Sequence, residues 1–212
     1  MKNEITLNTI EKVFHKRTPK AVGVNSYYSV LVPLVEKEDG LYLLYEKRAE
    51  HMKRQPGEIC FPGGKVEPDE SFEECAVRET VEELGIPESA IRVIQQMDVL
   101  VTHNNFIMFP FLGIIEEEAL GCMDCNPDEV HEVFLVPVKH LLEHDPYLYK
   151  MQVIPQIPED FPYDKIKSPK GYKWRKGVSE VPIYEYENRV IWGLTGRITM
   201  NLMKVLKEEA NV

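Results

Sequence analysis

The chain has 212 residues, with 25 Lys and Arg against 35 Asp and Glu, and a formal net charge of −10. Affinity for a nucleic-acid backbone comes mainly from basic residues that displace counterions, so a chain this acidic excludes nucleic acid as a partner and requires any phosphate ligand to be held locally or through a metal. A composition of 43% hydrophobic and 28% charged residues excludes disorder as the main state.

No apolar run approaches the roughly 18 residues of a membrane span, and Met1-Lys2-Asn3-Glu4 leads into no signal-type core. The expectation is a cytoplasmic protein with no membrane partner. Its cysteines, Cys60, Cys75, Cys122 and Cys125, are too few and too uneven for a disulfide framework, and the Cys122-x-x-Cys125 pair lacks the second pair of a structural zinc site.

In chain order, apolar residues at Ile5, Leu7, Ile10, Val13 and Phe14 predict a helix over about 3–16, ending before Thr18-Pro19. The β-branched and aromatic runs 27–36 and 41–45, joined at Glu38-Asp39-Gly40, predict a hairpin. A Gly/Pro-rich loop leads to a helix over 71–84 with its apolar stripe at Phe72, Cys75, Ala76, Val77, Val81 and Leu84. Ser71 and Glu74 fit a capping box, and Gly85 with Pro87 supplies the stop. Strand-like runs 91–101 and 106–115 follow, then an acidic loop 116–129, a strand 133–136 and a short helix 138–143. Residues 145–180, rich in proline and without sustained periodicity, predict a long excursion. The end reads as strands 181–186 and 189–192 and a helix from about 195 to 208. Helices interleaved with mixed strands predict an α/β chain organised as a single domain around one sheet.

The chemistry concentrates in Gly64 to Ile86. On a helix, Glu79 and Glu83 lie one turn apart and Glu82 is adjacent to both, so three carboxylates converge on one patch. Such a patch is costly without a cation, and hard oxygen donors suit Mg²⁺ or Mn²⁺. Arg78 is placed to orient or neutralise a carboxylate such as Glu70. A bare E-x-x-E-E would be a solvated acidic face. The full spacing overturns that: Gly64, Glu70, Arg78-Glu79, Glu82-Glu83, Gly85 and Ile86 fall in register with the Nudix box, G-x5-E-x7-R-E-U-x-E-E-x-G-U, which the segment resembles over 64–86. Thr80 stands where the box has an aliphatic residue, and its methyl suits a half-buried position.

The resemblance implies the Nudix fold, a mixed β-sheet sandwiched between α-helices, over about 27–206. It also implies hydrolysis of a nucleoside diphosphate linked to another moiety, with divalent ions on Glu79, Glu82, Glu83 and the carbonyl of Gly63. Upstream, Arg48-Ala49, Lys53-Arg54, Gly57 and Phe61-Pro62-Gly63-Gly64 resemble the signature of the coenzyme A pyrophosphatase branch, L-L-x-x-x-R-[SA]-x3-R-x3-G-x3-F-P-G-G. It departs at Glu46, where the signature has Thr, and at Lys53, which replaces an Arg and loses the bidentate fork. The implied reaction cleaves coenzyme A or an acyl-coenzyme A to 3′,5′-ADP and (acyl-)4′-phosphopantetheine. The alternatives are another nucleoside diphosphate, such as an ADP-sugar or dinucleotide, and a catalytically silent ligand sensor.

The substrate-binding expectation is Arg48, Lys53, Arg54, Gly57, Phe61, Gly64 and Lys65, a basic strip beside the acidic helix, as a phosphate-rich small molecule needs in a chain of charge −10. The catalytic expectation is Arg78 with Glu79, Glu82, Glu83 and Glu132. Glu132, with Glu129 beside it, belongs to a segment that in several branches carries a further metal or the base. Trp192, in a segment resembling the coenzyme A branch, is expected in the core. His140 and His144 are expected on an exposed helix face. A homodimer is left open.

Overall fold

Turn chemistry and β-branched runs place the first strands. The computed structural model describes residues 5–168 and 171–209. An isolated helix α1 (Leu7–His15), capped by Thr6 through the Thr9 amide, precedes the sheet. None of its residues is buried, so the apolar stripe that defined it packs on nothing among the described residues. The expected positions 3 and 4 lie outside the described residues.

The expected hairpin is present as β1 (Ser26–Lys37) and β2 (Gly40–Arg48), antiparallel from Leu34↔Leu43 to Lys37↔Gly40. The loop after it contributes β3 (Ile59–Cys60) and β4 (Gly63–Lys65), followed by α2 (Phe72–Leu84). The run expected over 91–101 is broken into β5 (Ile91–Gln96) and β6 (Leu100–Val101), both antiparallel to β7 (Phe106–Ile115). The acidic loop holds a short helix, α3 (Glu117–Leu120), before β8 (Val130–Pro137) and α4 (Val138–Glu143).

These strands form one mixed sheet in the order β3-β2-β1-β7-β5, with β8 on β2, β4 on β1 and β6 on β7. β1 and β7 are parallel over Ser26↔Phe106 to Leu34↔Ile114. β1 is shared lengthwise. Its first half pairs with β4 (Tyr28↔Lys65 to Val30↔Gly63) and its second half with β2. The sheet therefore splits between β2 and β4, and the Phe61-Pro62-Gly63 turn fills the split, with the Leu31 N–H donating to the Pro62 carbonyl.

The expected excursion is not structureless. Tyr147–Val153 forms β9 and Gly177–Tyr186 forms β10, paired antiparallel from Tyr147↔Ile183 to Val153↔Gly177, and β11 (Arg189–Trp192) completes a second, three-stranded sheet. β9 is exposed along almost its whole length, so no alternation of apolar and polar residues marks it in the sequence. Helix α5 (Gly193–Glu209) closes the described chain.

The main sheet is covered on both faces, which is why β1 reads as a near-continuous apolar run. One face packs Val32, Leu43, Tyr45, Phe61, Phe134 and Val136 against Leu141 of α4, Tyr184 of β10 and Ile198 and Leu202 of α5. Tyr45 stacks between Phe61 and Phe134, at centroid distances of 4.7 and 5.7 Å, and its hydroxyl hydrogen-bonds to Thr199 (2.9 Å). The other face packs Leu31, Val35, Leu44, Phe111 and Ile115 against Ala76 and Leu84 of α2.

Candidate active site

Helix α2 is fixed at both ends by its own residues. The Ser71 hydroxyl accepts from the Glu74 amide (3.2 Å) while the Glu74 carboxylate accepts from the Ser71 amide (2.7 Å), the reciprocal cap expected from the sequence. At the other end Gly85 adopts the left-handed conformation (φ 64°), and a Cβ there would collide with the Asp124 carbonyl, so only glycine fits.

The side of α2 turned to the sheet differs from the expected stripe. Cys75, Ala76, Thr80, Glu83 and Leu84 are buried, whereas Val77 and Val81 are only half-buried. Thr80 is fully enclosed, and its hydroxyl donates to the Ala76 carbonyl (2.7 Å), so a polar residue fits without leaving an orphan.

Glu83 thus enters the protein interior, with 4% of its surface exposed, and its Oε2 accepts the Gly63 N–H (2.8 Å). Glu79 is half-buried against Gly64, where a Cβ would overlap its carboxylate. Glu82 is exposed. Arg78 binds around this edge: Nε and Nη2 fork onto the Glu70 carboxylate (3.0 Å each), Nη2 also meets Glu79 (2.9 Å), and Nη1 reaches Glu82 (3.1 Å). The Arg78 guanidinium holds the Glu70 carboxyl down at about 2. Burial pushes the Glu79 carboxyl up despite Arg78, and pushes Glu83 up further, with Glu46 the next cause.

Sequence reasoning registered Glu46 only as a departure from a signature, yet it stands at this centre. It lies two residues after Leu44 on β2, on the same α2-facing side of the sheet, and is 1% exposed. Its Oε1 accepts from the Cys60 thiol (3.1 Å) on the paired strand β3, and its Oε2 has no hydrogen-bond partner. Burial raises its pKa, and Glu129 and Glu79 raise it further. The available signal was the acid itself, set in the apolar strand Leu43-Leu44-Tyr45-Glu46.

Glu132, expected as a catalytic acid, is on the wrong face. It lies two residues before Phe134 and shares its face, which packs toward α5, and Arg189 holds it in an ion pair while lying over the Phe134 ring at 4.6 Å. Glu129 is the loop acid that belongs to this centre: it accepts from Asn126 Nδ2 (3.1 Å), and its charge bears on Glu46, Glu79 and Glu83. The Asn126 amide in turn donates to the Glu83 carbonyl (2.9 Å), tying this loop to α2.

Beside the carboxylates, a cavity of about 420 Å³ is lined by Gly63 and Gly64 together with Arg48, Arg54, Phe61, Tyr28, Phe106 and Trp192. Of the expected basic strip, Arg48 and Arg54 therefore reach the cavity, whereas Lys53 and Lys65 are exposed and lie outside its lining. Gly57 sits in the loop just outside it, with φ 68°. Phe61 contributes a ring edge while remaining buried against Tyr45. Trp192 is not in the core as expected: it is 45% exposed on the cavity wall, because β11 ends the second sheet at this mouth.

No group of three His, Cys, Asp or Glu side chains is preassembled at ligating distance among the described residues, since Arg78 draws Glu79 and Glu82 to itself. The donor set nevertheless fits a hard divalent cation. Glu46, Glu79 and Glu83 are carboxyl oxygen donors whose burial and mutual proximity penalise their charged forms, a penalty that a cation relieves, and one Glu46 oxygen is unpartnered. The histidines His140, on α4, and His144, at its C-cap, stack on each other at 4.3 Å, away from these acids. Among the described residues no helix is long and apolar enough to cross a membrane.

Residues 27–156 match the model of the NUDIX domain. The chain is 37% identical over 135 residues to the peroxisomal coenzyme A diphosphatase NUDT7 of Mus musculus, covering 63% of this chain and 56% of that protein. It is 34% identical over 139 residues to Nudix hydrolase 3 of Caenorhabditis elegans, covering 65% of this chain and 58% of that one. A Nudix hydrolase of Yersinia enterocolitica, NudL, is 30% identical over 187 residues, covering 87% of this chain and 84% of its own length. The matched region thus spans less than two thirds of the first two relatives. Among solved structures, a MutT/nudix family protein from Enterococcus faecalis superposes with a TM-score of 0.51 at 18% identity, over 97% of this chain and 71% of that one, which is a likeness of fold.

Proposed function

Because this chain belongs to the Nudix hydrolase family, we propose that it is a divalent-metal-dependent diphosphatase that cleaves coenzyme A or an acyl-coenzyme A to 3′,5′-ADP and (acyl-)4′-phosphopantetheine. The observation that carries the reading is one wall with two uses. Gly63 and Gly64 present Glu83 and Glu79 on one side and line a cavity with Arg48, Arg54 and aromatic rings on the other.

Glu79, Glu82 and Glu83, with the Gly63 carbonyl, are the residues that would hold Mg²⁺ or Mn²⁺, which when bound neutralises the diphosphate and lowers the pKa of an attacking water. The rest falls to the chain itself. Arg78 pairs with Glu79 and Glu82 and aims both along the α2 edge. The Gly63 N–H fixes the rotamer of Glu83, and Glu129, held by Asn126, is the acid placed to take a proton from water. Arg48 and Arg54 supply fork-shaped donors for phosphate, and Tyr28, Phe106 and Trp192 supply an apolar and aromatic lining for the remainder of the substrate. The name of the mouse relative, a coenzyme A diphosphatase, supports this substrate over other nucleoside diphosphates.

Incubation with coenzyme A, an acyl-coenzyme A, ADP-ribose and a dinucleoside polyphosphate, each with Mg²⁺ and Mn²⁺, tests the reading by product identification. Release of 3′,5′-ADP with the highest kcat/KM on a coenzyme A substrate is expected. Preference for ADP-ribose or a dinucleotide would overturn the substrate assignment. Arg48→Ala should lose more on coenzyme A than on its dephospho form, and equal losses would remove Arg48 from recognition of the extra phosphate.

A further inference from the structure

We propose that Glu46 is an additional carboxylate ligand of the metal centre, delivered from strand β2 to the cation that Glu79 and Glu83 face from α2. The inference rests on the reading of this site as a divalent-metal diphosphatase and concerns a residue outside the box.

Three observations carry it. Glu46 lies in the sheet with only 1% of its surface exposed, on the side that α2 covers. Its Oε1 receives a single weak donor, the Cys60 thiol at 3.1 Å, and its Oε2 receives none, although an ionised carboxylate offers about four acceptor sites. Its surroundings carry more negative charge, from Glu83, Glu79 and Glu129, against one cation, Arg48, whose own Nε is also buried without a partner. A carboxylate in such a place is unfavourable unless a cation or further donors compensate. No ion pair or hydrogen bond from Arg48 reaches Glu46 among the described residues, so the guanidinium supplies field without satisfying the oxygen. Glu46 and Cys60 are cross-strand neighbours, and Cys60 and Gly63 both line the cavity. The orphaned oxygen therefore belongs to the region where cation and diphosphate would meet. A Thr here, as in the related signature, would remove that charge and with it the extra ligand.

Mn²⁺ binding to the full chain, measured by calorimetry and by loss of the free-ion EPR signal, tests the assignment without recourse to turnover. Glu46→Gln keeps the acceptor for the Cys60 thiol and removes the charge. It is expected to weaken Mn²⁺ binding at least tenfold, to raise the melting temperature of the metal-free protein, and to shrink the rise that Mn²⁺ produces. Glu132→Gln removes a carboxylate from the opposite face and is expected to leave Mn²⁺ affinity within twofold. Should Glu46→Gln fail to fold, Glu46→Thr carries the same expectations. Affinity within twofold of the parent in the Glu46 variant would overturn the proposal and leave Glu46 as a partner sharing a proton with Glu83. Equal weakening by Glu132→Gln would also overturn it, in favour of a long-range charge effect. A parent chain that binds no Mn²⁺ would instead defeat the metal reading of the whole site.

Discussion

Two adjacent glycines make opposite demands, and exchanging each for alanine separates folding from chemistry. A Cβ on Gly63 would lie under 3.0 Å from the Ser29 carbonyl and from Val30 Cα, both backbone atoms of β1. Backbone in a paired strand cannot step aside, so Gly63→Ala must break the β1–β4 pairing or the turn. The expected cost is about 3 kcal/mol or more, which at roughly 2–4 °C per kcal/mol for a domain of this size lowers the melting temperature by about 6–12 °C. The three atoms nearest a Cβ on Gly64 all belong to the Glu79 carboxylate, also under 3.0 Å, where ordinary contact begins at 3.4 Å. That end of the side chain is flexible, so Gly64→Ala should melt within a few degrees of the parent. It must nevertheless push the Glu79 carboxylate away by an appreciable fraction of an ångström or more. Misplacing a catalytic group by about 1 Å costs on the order of 100-fold in rate. Thermal melts and diphosphatase kinetics with saturating Mn²⁺ on both variants check the pair. Full activity in Gly64→Ala, or a collapse in its melting temperature as large as that of Gly63→Ala, would refute the assignment of Gly64 to the seat of Glu79.

Two further outcomes follow from the charges. Glu46 and Glu83 have folded-state pKa values above the ordinary 4.5, so the folded chain retains protons that the unfolded chain releases. Stability of the metal-free protein therefore falls as pH rises above about 4.5 toward the folded values, and melts in a chelating buffer from about pH 5 to 8 should show a declining midpoint that Mn²⁺ flattens. Glu70 runs the other way: its contribution, present above about 4.5, is lost as pH falls through about 2, which adds to acid unfolding. Arg78→Lys keeps a charge but cannot fork onto Glu70 while reaching Glu79 and Glu82. A loss of about 1.5 kcal/mol in a urea titration and a drop of about tenfold or more in kcat are expected.

Most of the main sheet was legible because its elements announce themselves locally. The hairpin β1–β2 has a glycine turn between β-branched runs, and α2 carries its capping box and its Gly85 stop in the sequence. What periodicity could not show was which side of α2 goes inward. The apolar residues Val77 and Val81 invited a stripe that includes them, yet the sheet takes Thr80 and Glu83, where the Thr80 hydroxyl donates to the Ala76 carbonyl and the Glu83 carboxylate accepts the Gly63 N–H. β9 was invisible for the opposite reason: an exposed edge strand has no buried face to pattern it. Glu132 and Glu129 are three residues apart and equally acidic in sequence. Only the register of β8 on β2, which sends alternate residues to opposite faces, parts one from the site and leaves the other beside it.

The split in the sheet ties these features together. β1 must leave β4 to join β2, and the Phe61-Pro62-Gly63-Gly64 turn occupies the gap with almost no side-chain volume at its last two positions. Gly63 and Gly64 therefore contribute only backbone between Glu83 and Glu79 on the α2 side and the cavity that both glycines line. A diphosphate is small and needs cations from several directions at once. In the proposed diphosphatase, glycines at this wall would let an ion held by α2 and the guanidinium groups of Arg48 and Arg54 approach the same phosphates. Under the proposed function, the net charge of −10 then presents no barrier to an anionic substrate. In that reading the negative charge of α2 is concentrated where a metal would reverse it, and Arg48 and Arg54 line the cavity in which the diphosphate would sit.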